Sequence, residues 1–272
     1  MILFPNAKIN LGLHVLSKRK DNFHNLETLM YPVGICDILE FIPSLEKETR
    51  LKLSGISVSG DMQSNLVYKA YILLKELYKL PPVQIHLHKI IPAGAGLGGG
   101  SSDAAFMLMG LNRFFDLGLS LDELKTHAAS LGSDCSFFVE NVPALASGKG
   151  EILVPATTYL KGYKLLLFFP GFPVSTAEAY GGIIPDPGKE SLTSILEQGI
   201  STWRGNLVND FEKTIFEKYP ELRILKEGLY ESGALYASMS GSGSAMYGLF
   251  DAEYVISPGL RKGLIWEGLL QE

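Results

Sequence analysis

The sequence predicts an α+β chain in two domains, and three observations carry that prediction. Stretches that alternate apolar and polar residues are interleaved with stretches of helical apolar spacing, without the strict alternation of a doubly wound sheet. At 272 residues the chain has room for one large domain or two of ordinary size. Gly148, Gly150 and Pro155 cluster between Ser147 and Thr158, and this softest boundary sets the domains at 1–150 and 151–272.

The elements follow in order. Ile9, Leu11, Leu13 and Val15 face one way and Lys8, Asn10, Gly12 and His14 the other, a period of two that predicts a strand with one buried and one polar face. Asn65 precedes a helical stretch through Leu66, Ala70, Leu73, Leu74 and Leu77. Val83, Ile85 and Leu87 then alternate with Gln84, His86 and His88 in a strand that runs into a glycine-rich stretch. The two histidines read as solvated side chains, not metal ligands. Phe106, Met107, Leu108 and Leu111 open a helix, and Ser120 with Glu123 forms a capping box ahead of Leu121, Leu124, Ala128 and Leu131, stopped by Gly132. Tyr163 to Phe169 is an apolar strand, and Ser175 and Glu178 repeat the box near Tyr180. Pro185 to Gly188 is an exposed turn, and further helices are expected around Leu207 to Lys218 and Leu222 to Tyr230.

Composition excludes several classes. Hydrophobic content of 46% and charged content of 19% are those of a soluble globular protein. A net charge of −5 with no block of like charges argues against nucleic acid as a partner. Cys36 and Cys135 have no metal-type spacing and read as reduced thiols of a cytoplasmic protein. The first residues lack a basic segment ahead of an apolar one, so no signal peptide is expected, and the run Leu165 to Phe169 ends at Pro170, too short to span a bilayer. A monomer or homodimer without a membrane partner is expected.

The chemistry concentrates in Pro92-Ala93-Gly94-Ala95-Gly96-Leu97-Gly98-Gly99-Gly100-Ser101-Ser102. Five glycines in the seven residues from Gly94 to Gly100 let the backbone approach a ligand closely. The order strand, glycine loop, helix aims the amides of a helix's first turn, at the positive end of its dipole, into the loop, where phosphate is the natural guest. Ser101 and Ser102 offer hydroxyls to phosphate oxygens or to a bound magnesium ion. A flexible linker is the alternative, but linkers of this glycine density are bounded by polar sequence. No Gly-Lys-Ser/Thr follows, which excludes a Walker A loop, and no acidic residue ends a following strand about 20 residues on, which disfavours a dinucleotide fold.

These residues give the chain a resemblance. The loop resembles the phosphate-binding motif of the GHMP kinases, here with extra glycines between Leu97-Gly98 and Ser101-Ser102. Ala7-Lys8-Ile9-Asn10-Leu11, Arg19 to Thr28, Gly132-Ser133-Asp134 and Met239-Ser240-Gly241-Ser242-Gly243-Ser244 match other motifs in order, and with the extra glycines they are similar to the branch that acts on a cytidine diphosphate conjugate. The resemblance implies a ribosomal S5 domain 2-like N-terminal domain, a ferredoxin-like C-terminal domain and a cleft between them. It also implies ATP-dependent phosphorylation of the 2-hydroxyl of the methylerythritol half of that conjugate, on the non-mevalonate route to isoprenoid precursors. ATP would be the donor and would carry most of the hold on Mg²⁺, with no metal ligand assigned to the protein.

Residue by residue, the resemblance makes Asp134 the general base and Lys8 its electrostatic partner. Spacing alone allows Asp134 as a helix cap and Lys8 as a solvated charge. Asn10, roughly 6–7 Å along the strand from Lys8, would bind substrate. Phe23 and His24 would hold the cytosine by stacking and hydrogen bonds, with Tyr180 as second aromatic and Thr176 nearby; plain packing is the alternative. Gly241 and Ser242 join the substrate set. Asn65 and Lys89 match positions around the adenosine, or else are a helix cap and a surface charge. Asn22-Phe23 departs from the family's usual Gly-Tyr: Asn tolerates left-handed backbone, and Phe keeps a stacking face without the hydroxyl. Rival readings are a homoserine- or mevalonate-type kinase, a non-catalytic nucleotide-binding protein and an RNA-binding protein.

Overall fold

The computed structural model describes residues 1–157, 160–251, 254, 256 and 258–270. Thr158, at the edge of the expected domain boundary, lies outside the described residues. In chain order the first elements are β1 (Ile2–Leu3), β2 (Asn6–Lys18), β3 (His24–Cys36), β4 (Ile38–Pro43), β5 (Arg50–Gly55), α1 (Leu66–Tyr78), β6 (Val83–Lys89), α2 (Gly99–Phe114), α3 (Leu121–Leu131) and α4 (Phe137–Glu140). There follow β7 (Ala144–Ser147), β8 (Ile152–Pro155), β9 (Lys164–Phe168), α5 (Thr176–Tyr180), α6 (Leu192–Glu197), α7 (Phe211–Lys218), α8 (Pro220–Glu231), β10 (Tyr236–Met239), β11 (Met246–Phe250), α9 (Pro258–Arg261) and β12 (Leu264–Leu269). The fold is α+β. The chain forms two compact units, neither continuous in sequence: Met1–Lys8, Gly34–Ala93 and Gly98–Val142 make the first, and Ile9–Val33, Gly94–Leu97 and Pro143–Glu272 the second.

In the first unit the sheet runs β1-β4-β6-β5, with β4 antiparallel to β1 and β6, and β5 parallel to β6. Leu39, Phe41, Val83, Ile85 and Leu87 are buried, as the alternation requires. His86 and His88 are half-buried and share the Ser54 hydroxyl at 2.8 and 2.9 Å, so they are held by a hydrogen bond and not only by water. Asn65 is the cap of α1: its Oδ1 accepts the Val67 amide at 2.9 Å. Gly110 lets α2 lie on the sheet, because a Cβ there would come within 2.5 Å of Leu3 and 3.0 Å of Phe41. The Ser120–Glu123 capping box is complete, and α3 ends at Gly132.

In the second unit β10-β11-β9-β12 form a fully antiparallel sheet. Leu166, Phe168, Met239, Met246 and Phe250 pack with Phe211 and Ile215 of α7 and with Leu222 and Leu229 of α8. A further sheet has the order β2-β3-β7-β8, with β7 antiparallel to both β3 and β8. Gly148 and Gly150, read as a domain boundary, lie in the turn between β7 and β8. Helix α7 begins at Phe211, not Leu207, because Val208 and Asp210 pair their backbone with Leu13 at 2.9 Å each. Pro220 at the start of α8 supplies the fixed φ that a helix's first turn prefers. The box at Ser175 is half made: Ser175 accepts the Glu178 amide, while the Glu178 carboxylate turns to Tyr219 and Lys218.

The one-faced burial expected for β2 is corrected. Lys8, Asn10 and His14 are 3%, 2% and 2% exposed, as deep as Ile9 and Leu11. Alternation reports side-chain chemistry, and a polar side chain can be buried wherever it finds partners. Burial and then Lys189 hold His14 below the usual imidazole range. Among the described residues no helix is long and apolar enough to cross a membrane.

Replacing Ser120 by Ala removes the reciprocal cap of α3. We expect a loss of about 1 kcal/mol and a fall in Tm of about 2–4 °C, read by thermal denaturation; an unchanged Tm would show that the box contributes nothing.

Candidate active site

In the first unit Lys8, near the start of β2, is buried, and its Nζ stands 3.6 Å from Oδ2 of Asp134. Asp134 is part-open to solvent at 30% of its side chain, so this pair has one end in the protein and one at its surface. Burial pulls the Lys8 pKa below the ordinary lysine value, and the charge and hydrogen bond of Asp134 offset part of that. Asp134 is not a helix cap. α4 starts after Ser136, and the turn before it closes through the Cys135 amide onto Gly132 at 3.1 Å. That turn is backed by Cys135, a buried thiol pushed up to about 11 by burial and bonded to Ser101.

Gly98 ties this pair to the head of α2. It takes a left-handed φ of 71°, and a Cβ on it would meet the Phe138 ring at 2.9 Å and Cγ of Lys8 at 3.2 Å. Only a residue without a side chain lets α2 begin against the stem of Lys8. The Ser102 amide bonds to Gly98, and the amides just before it precede any helix carbonyl that could take them. Ser102 is fully buried, and its hydroxyl has no hydrogen-bond partner among the described residues. Lys89, expected at the adenosine or at the surface, is 4% exposed with its ammonium between Asp37 and Asp103, so the surface alternative falls.

In the second unit one small network gathers four motif positions. Nδ2 of Asn10 donates to Thr28 at 3.0 Å, and the Thr28 hydroxyl donates to the Gly12 carbonyl at 2.6 Å. The Asn10 amide donates to the Ser240 hydroxyl at 3.3 Å, which in turn donates to the Gly96 carbonyl at 2.9 Å. Gly96 has φ of 78°, and a Cβ there would lie 1.9 Å from the Ser240 carbonyl, an overlap no side chain survives. Ala95 and Gly94 accept the Ala245 and Val174 amides at 3.0 and 3.2 Å. A Cβ on Gly241 would come within 3.2 Å of Oδ1 of Asn10, and Ser242 follows it half-buried. Asn209, which drew no attention in the sequence, donates to the carbonyls of Met239 and Gly241 at 2.8 Å each and so fixes this loop from below.

The aromatic positions lie on the turn from β2 to β3 and on α5. His24 stacks on Tyr180, centroids 4.7 Å apart and planes 14° from parallel, and Phe211 meets Tyr180 edge-on at 4.8 Å. With His24 lying on Tyr180, no ring stands between those two, and Phe23 is the aromatic whose face is open. Burial and then Lys18 hold the His24 pKa below its usual value. Phe23 is 57% exposed, with the Lys149 ammonium 4.8 Å from its ring centre. Asn22 takes φ of 65°, the left-handed turn a glycine would supply, and the Arg19 amide closes the turn onto Phe23 at 2.8 Å. Thr176 is exposed one helical turn before Tyr180. Lys149 sits between two glycines that mark a turn in the sequence, but nothing there says which ring its ammonium covers. Among the described residues no group of three or more His, Cys, Asp or Glu is placed to hold a metal.

The arrangement is one lysine–carboxylate pair beside a glycine-started helix, a second glycine loop, and exposed aromatics. The family model described as GHMP kinases N terminal domain matches residues 65–148, and that described as GHMP kinases C terminal matches 192–257. A 4-diphosphocytidyl-2-C-methyl-D-erythritol kinase of Cytophaga hutchinsonii is 52% identical over 93% of this chain and 93% of its own length. One of Bacteroides thetaiotaomicron is 50% identical, again over 93% of both. A crystal structure of 4-(cytidine 5'-diphospho)-2C-methyl-D-erythritol kinase superposes with TM-score 0.77 at 35% identity, covering 92% of this chain and 90% of that one. A mevalonate kinase structure, at 13% identity and TM-score 0.69, shares the fold alone. Both halves of the chain and nearly its whole length therefore point one way: the chain belongs to the GHMP kinase family, with the 4-diphosphocytidyl-2-C-methyl-D-erythritol kinases as its near relatives.

Proposed function

We propose that the chain transfers the terminal phosphoryl group of ATP to the 2-hydroxyl of 4-diphosphocytidyl-2-C-methyl-D-erythritol, a step of the methylerythritol phosphate route to isoprenoid precursors. Relatives sharing half its residues carry the name of that kinase. The observation that carries the reading is the Lys8–Asp134 pair against Gly98 at the head of α2. Phosphoryl transfer needs an oriented hydroxyl, a proton acceptor within reach and positive charge at the moving group. Asp134, with its open end, orients the hydroxyl and takes its proton as the oxygen attacks phosphorus. Lys8 is held by burial at a fixed position opposite the Asp134 carboxylate, where it stabilises charge on the phosphoryl oxygens.

The amides from Pro92 through Ser102 cup the phosphates, and Asn65 borders the adenosine. Asn10, two residues beyond Lys8 in β2, holds the acceptor, with Gly241 and Ser242 beside it. Phe23 offers the cytosine an exposed stacking face, while His24 and Tyr180 with Thr176 form the second wall of that site. Mg²⁺ rides on the triphosphate, bound by its oxygens more than by side chains. We read residues 1–150 and 151–272 as the N- and C-terminal GHMP domains, a division along the chain that falls between the two matched segments. It differs from the two compact units, each of which the chain enters more than once. We place the enzyme in the cytoplasm as a monomer or homodimer, without nucleic acid or membrane as partner, in keeping with its net charge of −5.

Three outcomes test this. Asp134→Asn keeps the shape and removes the proton acceptor, so turnover should fall roughly 10²–10⁴-fold with ATP-analogue binding unchanged in calorimetry; intact turnover would remove Asp134 from the chemistry. Because the working form of Lys8 is charged and burial lowers its pKa, kcat should decline as pH rises through a value below 10.5. A rate flat to that point would mean Lys8 is not needed as a cation. Phe23→Ala should raise KM for the cytidine substrate roughly tenfold and leave KM for ATP alone, and equal change in both would refute the stacking assignment.

A further inference from the structure

Resting on the reading of α2's first turn as the phosphate site, we propose that Asp37, Lys89 and Asp103 form a buried clamp that holds the two ends of the phosphate loop together, with Lys89 and Asp103 as positioning residues for the nucleotide instead of contacts to it. Lys89 is the last residue of β6, and Asp103 lies in the second turn of α2, so the loop's glycines all fall between them. The Lys89 ammonium lies 2.6 Å from Oδ2 of Asp103 and also bonds Oδ2 of Asp37. The other oxygen of Asp37 accepts the amides of Ile90 and Ile91 at 2.5 and 2.8 Å, the first two residues after the strand. One carboxylate thus fixes the exit of β6, and one ammonium carries that fix across to α2.

All three side chains are out of water, at 4% exposure or less. Burial alone would lower the Lys89 pKa, but Asp103 and then Asp37 more than reverse it, so the ammonium stays charged. The other charged groups on elements packed against α2 are turned elsewhere. Lys69 and Glu76 of α1 are exposed, Lys75 lies over Tyr71, Lys125 pairs with Glu140, and His127 meets Tyr78 edge-on. The first residue of α2 rests directly on the clamp: a Cβ on Gly99 would meet Ile91 at 2.8 Å and the Lys89 Nζ at 3.4 Å.

A glycine-rich segment cannot order itself, because each glycine has more backbone freedom to lose than any other residue. Its middle is tied through the carbonyls of Gly94, Ala95 and Gly96 to Val174, Ala245 and Ser240, and the clamp fixes its two ends. An apolar contact would hold those ends close without fixing direction, whereas an ammonium gripped by two carboxylates fixes both. The sign of the charge separates this role from a simple attraction. Burial raises the Asp103 carboxyl to about 7 against the pull of Lys89, with Asp37 pushing the same way as burial, so the clamp presents no surplus positive charge to a triphosphate.

Asp103→Asn decides between the two, since it weakens the clamp without adding any negative charge and leaves Lys89 its partner Asp37. If the clamp positions the turn, the Kd of a non-hydrolysable ATP analogue should rise about tenfold, the Kd of a cytidine nucleotide should not move, and kcat at saturating ATP should stay near the parent value. Tighter nucleotide binding, or an unchanged ATP-analogue Kd with only a lowered Tm, would overturn the proposal. Should that variant not fold, Lys89→Met with Asp37→Asn and Asp103→Leu replaces the whole buried triad by neutral groups, and the same split between the two ligands is expected; unaltered analogue affinity there would equally refute it. Parent enzyme that bound no ATP analogue would sink the functional reading itself, a result distinct from either.

Discussion

A lysine taken out of water keeps its charge only beside a carboxylate, and the first unit meets that requirement twice. Lys8 pairs with Asp134 at 3.6 Å, a carboxylate part-open to solvent, and burial wins: its pKa is lowered. Lys89 has two carboxylates, both buried, and they win: its pKa is raised. The difference suits two tasks. An ammonium gripped by two buried carboxylates can serve as a fixed strut, whereas Lys8 faces a carboxylate that is itself part-open to solvent.

Close backbone approach is the second constraint, and it explains why glycines recur where they do. Gly98 admits the stem of Lys8, and Gly96 admits the carbonyl of Ser240. In both, the space a methyl group would need is already filled, and φ lies in the left-handed region. Neither glycine is there for flexibility. Both loops are held in close contact with their neighbours, with Asn209 bonded to the Met239 and Gly241 carbonyls and Lys89 bonded to Asp103.

Much of this was legible in the sequence because its signals are local. The capping box at Ser120, the cap at Asn65, the strand–glycine–helix order and the Asn22 turn depend on residues a few positions apart, and each formed as expected. What could not be read depends on partners far along the chain. The polar face of β2 is buried because Thr28, Ser240 and Asp134 meet it, and no alternation pattern contains that. The start of α7 moved because Val208 and Asp210 found Leu13. Asp37 has no motif around it at all, although it organises one end of the phosphate loop. The motif resemblance located Lys8 and Asp134, but their opposite degrees of burial emerge only in three dimensions.

The aromatic site shows how a departure from pattern is absorbed. Phe23 lacks a hydroxyl, so it has no polar atom to direct at a ligand, and its exposed ring is positioned instead by a turn closed through Asn22 and by the Lys149 ammonium over one face. A cation on one face draws electron density toward itself and leaves the ring a better flat partner than a specific one. Recognition of the base's edge must then come from polar groups nearby. His24 is the nearest ring with nitrogens, but it is stacked on Tyr180, and its pKa is lowered. A neutral imidazole holds both a donor and an acceptor, which is what an amino-pyrimidinone edge presents in return, whereas an imidazolium would offer donors alone. On the proposed function, the partial burial of His24 against Tyr180 would do more than pack two rings, because a lowered pKa favours the neutral imidazole with its donor and acceptor.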